Sequence, residues 1–129
     1  MSAERHFSKH YTLDEARALL PKVRRWLPDI RRLGKAVGRA EERNAPLLAE
    51  GRDLGGERVD EHLRTLTRLQ EIIREINALQ IQVKDLDRGL VDFPSLRGDR
   101  EVLLCWEEGE DDIEFWHDLE SGYPGRKPV

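Results

Sequence analysis

Residues 12–37 read TLDEARALLPKVRRWLPDIRRLGKAV, and the spacing of their apolar positions decides the fold class. Leu13, Ala16, Leu20, Val23, Leu27, Ile30 and Val37 follow steps of three and four with Gly34 interrupting, and Leu19, Trp26 and Leu33 form a second row. With Leu13 as heptad position a, the apolar face is a, d and g. That stripe is wider than a two-stranded seam requires and suits a helix packed in a bundle. Thr12 and Glu15 form a capping box that satisfies backbone N–H groups of the first turn, so a helix is expected to begin near Leu13. Pro21 and Pro28 both fall at position b, nearly opposite the stripe, where the carbonyls they leave unpaired turn to water. The expected helix is curved and runs from 13 to about 43, with Pro21 the one place where it is open to splitting. Asn44 and Pro46 supply its stop.

Working outward, residues 45–58 hold Gly51, Gly55 and Gly56 among charges and read as a mobile connector. The Gly55-Gly56 pair has neither the spacing nor the Lys-Ser/Thr ending of a phosphate loop. Asp60 is expected to cap a second helix on which His62, Leu66, Leu69, Ile73, Ile76, Gln80 and Val83 repeat the pattern, flanked by Ile72, Leu79 and Leu86. The chain changes character at Gly89. Leu90 to Phe93 is extended and ends at Pro94, Leu96 to Asp99 turns, and Glu101–Trp106 and Ile113–Asp118 form a hairpin around Gly109. Centring the turn on Gly109 and Glu110 pairs Trp106 with Ile113, Leu104 with Phe115 and Val102 with His117. Cys105 and His117 then lie on opposite faces, as do Trp106 and Trp116. The tail from Gly122 to Pro128 is expected to be irregular.

The whole sequence is 129 residues, 38% hydrophobic and 37% charged, enough for one domain with one modest core and too little for a separate cofactor fold. Its longest apolar run, Val102 to Trp106, is far below a membrane span, and Met1 to His10 lacks a signal-peptide core, so a cytoplasmic protein is expected. A single cysteine, Cys105, excludes an internal disulfide and fits a reducing compartment. The net charge of -4 conceals two opposed segments: residues 13–40 carry eight basic against three acidic side chains, and residues 99–120 one basic against ten acidic. The arginines at e and f (Arg17, Arg24 and Arg31; Arg25, Arg32 and Arg39) offer phosphates a stripe. Few aromatics interleave with it and no DNA-reading motif is present. A solvated face or a contact with the acidic hairpin is the favoured reading, and nucleic acid is not expected as a partner.

Several stretches together resemble a known family: Thr12-Leu13-Asp14-Glu15-Ala16, Lys84 through Pro94 (KDLDRGLVDFP), Leu104-Cys105-Trp106, Gly109-Glu110, Phe115-Trp116-His117 and Gly125-Arg126-Lys127-Pro128. The sequence resembles a prokaryotic family catalogued only as domain of unknown function 2203. The similarity covers nearly the whole chain, its specific part is residues 84–128, and it implies that the polar and aromatic residues there are the place to look for a function.

Within that part, His117 is the first candidate for chemistry, because imidazole titrates near neutral pH and serves as base or ligand. Its ordinary alternative is a histidine closing an apolar face with one backbone hydrogen bond. Asp85, Asp87 and Asp92, interleaved with Lys84 and Arg88, bracket the expected end of the second helix. Asp85 or Asp87 folding back onto His117 would make a carboxylate–imidazole pair for general-base work. Arg88, Trp116 and Arg126 are the candidate ligand-binding residues, Arg126 for an anion. No metal site is expected, since a zinc site needs three or four convergent ligands. Only a one-residue shift of the hairpin pairing would bring Cys105 to His117, and Cys105 is read as a bystander.

The expected fold is α+β and mostly α: a long antiparallel helical hairpin over 13–86 with a small C-terminal β-hairpin and irregular tail over 87–129. The residual g rows need cover, supplied either by the C-terminal segment or by a second copy in a homodimeric, coiled-coil-like four-helix bundle. Two functions are expected from this. The first is a non-enzymatic interaction module with itself or another protein as partner. The second is a small enzyme or a ligand- or metal-binding protein with a site where the second helix meets the hairpin. The sequence identifies no cofactor.

Overall fold

The computed structural model describes residues 4–51 and 55–129. It is α+β and mostly α: helices α1 (Leu13–Ala49) and α2 (Gly56–Ala78), then strands β1 (Gln82–Asp85), β2 (Leu90–Arg97), β3 (Arg100–Glu107), β4 (Phe115–Asp118) and β5 (Lys127–Pro128), with a 3-10 turn at Tyr123–Gly125. The five strands form one antiparallel sheet in sequence order, so the β part is a full sheet where a hairpin was expected. Two compact units divide the described residues, one of 4–25 with 76–129 and one of 26–51 with 55–75.

The helix start falls as expected. Thr12 N–H donates to Glu15 Oε1 at 2.9 Å and Glu15 N–H to Thr12 Oγ1 at 3.1 Å, the reciprocal pair of a capping box. Helix α1 runs unbroken through Pro21 and Pro28, and also through Pro46, which was expected to stop it. All three prolines are exposed, so the carbonyl each leaves without an N–H partner is open to water. The stop is Gly51, in the left-handed region at φ 76°. Helix α2 starts at Gly56, ahead of Asp60, and ends at Ala78. The connector is therefore shorter than the expected 45–58, and its residues 52–54 lie outside the described ones.

The end of α2 corrects the longer helix expected to reach Leu86. Ile81 N–H donates to Ile76 O and Gln80 N–H to Asn77 O, the paired bonds of a Schellman motif, with Gln80 at φ 58°. Glycine usually fills such a position. Gln80 is held there by its side chain, whose Oε1 accepts the backbone N–H groups of Ser8 and Lys9, each at 2.9 Å, while Nε2 donates to Ser8 Oγ. Val83 therefore belongs to β1.

Strand β2 continues past Pro94 to Arg97. Tyr11 N–H donates to Pro94 O at 2.7 Å, so that edge of Pro94 faces away from β3, and the missing N–H costs no ladder bond. The β2–β3 turn is closed by Gly98 at φ 63° and Asp99.

The decisive departure is the register of β3 against β4. Leu103 faces His117, Leu104 faces Trp116 and Cys105 faces Phe115, one residue out from the expected pairing. A two-residue turn at Gly109-Glu110 was assumed, whereas the connection spans residues 108–114. Glu110 N–H closes the turn on Glu107 O, and 111–114 continue as loop. Arg17 donates to Ile113 O through Nε and Nη2 and pairs with Asp112, and Arg24 Nη2 donates to Asp111 O. The first arginines of the basic stripe thus hold the acidic loop, in line with the favoured reading of that stripe. Because side chains alternate along a strand, the shift exchanges the faces of β4.

One sheet face carries Val91, Phe93, Leu104, Trp106 and Trp116, so the two tryptophans share a face, a correction that follows from the register. Tyr11 meets Phe93 edge-on at 6.4 Å and Arg24 lies over Trp106, which sets the start of α1 on this face with Ala16, Leu20 and Val23 buried. The other face carries Asp92, Leu103, Cys105, Phe115 and His117. In the second unit Trp26, Leu27, Leu33, Ala40 and Ile72 are buried in the single chain.

Candidate functional site

Three neighbouring strands each contribute one chemically capable side chain to the second sheet face. Asp92 on β2 stands directly across from Cys105 on β3, and His117 on β4 lies across from Leu103, two residues along from Cys105 and on the same face. All three are buried, and one ligand atom from each lies within 4.8 Å of the others. The separation of Cys105 and His117 expected from the hairpin pattern is thus corrected, for the reason of loop length given above.

His117 Nδ1 is 2.7 Å from Asp118 O. A carbonyl only accepts, so Nδ1 carries the ring proton and Nε2 is directed to Asp92 Oδ2 at 3.0 Å. A histidine that ligates a metal through one nitrogen typically fixes its tautomer in this way, by donating from the other to a backbone carbonyl. Without an ion the Nε2···Oδ2 contact needs a proton between the two atoms; burial raises the Asp92 pKa, opposed by His117, Cys105 and Lys84. Burial and then the Asp92 charge push the Cys105 thiol up. Asp92 Oδ1 is buried with no conventional hydrogen-bond partner, the weak S–H donor of Cys105 being a group that acts on this carboxyl.

This is not an activated cysteine. A nucleophilic thiol passes its proton to an imidazole nitrogen, but both nitrogens of His117 are committed elsewhere, to Asp118 O and Asp92. The donor set does suit a metal. Thiolate, imidazole and carboxylate together favour a borderline transition ion such as Zn²⁺ over Mg²⁺ or Ca²⁺, which want oxygen alone. Two anionic ligands and one neutral one balance a divalent charge inside the protein. Bonds of about 2.0–2.3 Å put tetrahedral donors roughly 3.3–3.8 Å apart.

The other candidate residues are distributed differently. Asp85 ends β1 and Asp87 sits in the β1–β2 turn, neither at a helix end, and Asp85 Oδ1 accepts the Arg88 backbone N–H at 3.0 Å. The carboxylate on His117 is that of Asp92. Arg88 pairs with Glu107 at 2.6 Å and lies 4.5 Å over the Tyr123 ring. Arg126 holds both oxygens of Glu110 through Nη2, at 2.8 and 2.6 Å, and stacks on Phe115 and Tyr123 at 4.0 and 4.6 Å. Arg126 and Tyr123, whose hydroxyl donates to Glu107, thereby fasten the C-terminal segment over the face that carries Cys105. Trp116 is on the opposite face, beneath Arg97, Arg100 and Lys127.

Asp92 and Cys105 are the residues whose role sequence reasoning missed. The signal available was the odd number of residues in 108–114, which reverses the parity of pairing, but it shows only once the loop is seen held by Glu110 within it and by the arginines of α1.

The matching stretches of the second half all fall on this sheet and its turns, and a model of an uncharacterized conserved protein family, DUF2203, matches residues 9–129. The chain belongs to the DUF2203 family. Comparison with curated proteins and with solved structures gives no match. Among the described residues, no helix is long and apolar enough to cross a membrane.

Proposed function

We infer that this DUF2203 protein binds a divalent transition-metal ion of the zinc class through Asp92, Cys105 and His117. The observation that carries the reading is the convergence of three different donors, one from each of three adjacent strands, on one buried point. An ion there ties β2, β3 and β4 together, and three protein ligands leave a fourth tetrahedral position for water or an exogenous donor. This takes up the metal-binding form of the second function expected from the sequence and gives Cys105 a ligand's role. The test is metal analysis of the purified protein and its titration with Co²⁺, beside the variants Cys105→Ser and His117→Ala. One ion per chain and a thiolate-to-cobalt absorption band that Cys105→Ser removes are expected. A wild type with neither bound metal nor cobalt band overturns the reading, as does a cysteine variant that binds as tightly. Cys105→Ser changes a single atom, so a folding failure of His117→Ala leaves the test decisive.

A second reading is self-association. The sequence argument for a homodimer rests on the g rows, of which Trp26, Leu33 and Ile72 are buried in one chain while Leu19, Leu79 and Leu86 are half-buried. Its support comes instead from Leu48, Val59 and Leu63, exposed by 60, 42 and 53% around an apolar depression between the helices. A second copy suits it because an isologous contact uses one patch twice and would assemble four helices. Sedimentation at micromolar concentration is expected to give a dimer that Leu63→Glu dissociates, and a 15 kDa monomer refutes it.

A further inference from the structure

The helical unit contains a cavity of about 170 Å³ between α1 and α2 whose chemistry is distinct from that of the proposed metal ligands. Ala36 and Ala40 leave the space open on the α1 side, and Arg39 and Arg43 edge it one helical turn apart. Arg58 and His62 close it from α2. Three arginines, all exposed, therefore line one small volume beside a single acidic residue, Glu61. Like charges at i and i+4 destabilise a helix, and a third across the gap adds to the repulsion.

Sequences relieve such crowding by pairing the arginines, as α1 does elsewhere with Arg32 and Asp29. Among the described residues, no side-chain ion pair or side-chain hydrogen bond is made by Arg39, Arg43 or Arg58. Beside them His62 Nδ1 is buried with no hydrogen-bond partner. A buried polar atom without a partner is rare and calls for a ligand or an unpaired cost. An excess of positive over negative charge and a polar atom without a partner, both at one cavity, have a common solution in a bound oxyanion.

We propose that the cavity edged by Arg39, Arg43, Arg58 and His62 binds a phosphate-type oxyanion. Guanidinium forks match the oxygens of phosphate two at a time, and each such charge-assisted bond is about twice as strong as a neutral one. The cavity falls short of the ~300 Å³ at which pockets for drug-sized ligands begin, so it takes a phosphate or diphosphate and not a whole nucleotide. Free phosphate and the phosphate end of a larger ester share this chemistry.

The experiment is titration of the full chain with inorganic phosphate, pyrophosphate and glycerol phosphate at low ionic strength, followed by calorimetry and by amide shifts of the helical unit. The wild type is compared with Arg58→Gln and Arg43→Gln in the cavity and with Arg25→Gln, an equally exposed arginine of α1 outside it. Saturable binding is expected, weakened at least about 10-fold by either cavity variant and less than about 2-fold by Arg25→Gln. Glycerol phosphate binding as well as inorganic phosphate assigns the site to the end of a larger molecule, and its exclusion assigns it to the free ion. Either result supports the proposal. No saturation by about 5 mM of any probe, or equal weakening by Arg25→Gln, overturns it. Helical circular dichroism of each variant confirms that a loss of binding is not a loss of fold.

Discussion

Replacing Glu101 by Gln is expected to cost about 2–3 kcal/mol at neutral pH and to release the N-terminal segment from the sheet. Glu101 sits near the start of β3 with its side chain only 6% exposed. Its Oε1 accepts the His6 backbone N–H at 2.9 Å, and Oε2 accepts the Phe7 N–H at 3.0 Å and His10 Nε2 at 2.7 Å. Burial alone would raise its pKa, but these donors outweigh burial and hold it at about 2, below the ordinary 4.5. A carboxyl displaced that far is worth about 3 kcal/mol at pH 7, discounted here because His6 is largely in solvent. Gln keeps the shape but turns one acceptor into an NH₂ group that faces a backbone N–H, so the loss is not recovered. The sign follows from a folded-state value below the unfolded one: the contribution is complete above pH 4.5 and declines as pH falls toward 2. Urea unfolding of both proteins is expected to show a gap that shrinks by roughly half between pH 7 and pH 3. Amide exchange is expected to show protected His6 and Phe7 only in the wild type. A gap that does not change with pH, or one below about 0.5 kcal/mol at pH 7, refutes the reasoning.

Three further substitutions test local features. Gly89→Ala is expected to cost at least about 2 kcal/mol in urea unfolding, because Gly89 has φ +70° and a Cβ there would lie 2.5 Å from Glu108 Cβ; an unchanged midpoint refutes it. Thr12→Ala is expected to lose about 1 kcal/mol of stability and to return the Glu15 pKa, lowered by Thr12, toward its ordinary range in a carboxyl NMR titration. Gln80→Gly relieves a left-handed residue but removes the acceptor for Ser8 and Lys9. Stability is expected to change by less than about 1 kcal/mol while those two amides lose exchange protection, and retained protection counts against the anchoring role.

The helices were legible because helical period and capping are local. The Thr12–Glu15 box and the apolar rows on α1 required nothing from the rest of the chain. The errors at their ends are tertiary in origin. Nothing within the 76–86 window says that Gln80 will adopt a positive φ, because the groups that hold it are Ser8 and Lys9, some seventy residues earlier. Pro46 reads as a stop by rule, but a solvent-facing carbonyl loses little when it goes unpaired. Strands β1 and β5 escaped detection because four and two residues are too few to show a period, and both are defined by their partners.

The site turned on a single parity. In an antiparallel pair the residue numbers of facing partners have a constant sum, so lengthening the loop by one residue moves every side chain of the second strand to the other face. A turn centred on Gly109 and Glu110 separates Cys105 from His117, and the loop of residues 108–114 unites them. Bonds inside the hairpin hold the second arrangement, Glu107 N–H to Glu110 Oε1 at 2.7 Å and Trp106 Nε1–H to Glu110 O at 3.0 Å, and α1 adds to them. Arg17 and Arg24 stabilise the loop carbonyls at Ile113 and Asp111, and Ile113, released from strand pairing, is fully buried. The charge contrast between the first helix and the acidic segment thus has a structural effect and a chemical consequence. By holding the loop at that length it puts a thiol, an imidazole and a carboxyl on one buried face, and the same contacts that fix the fold assemble the metal site proposed for it.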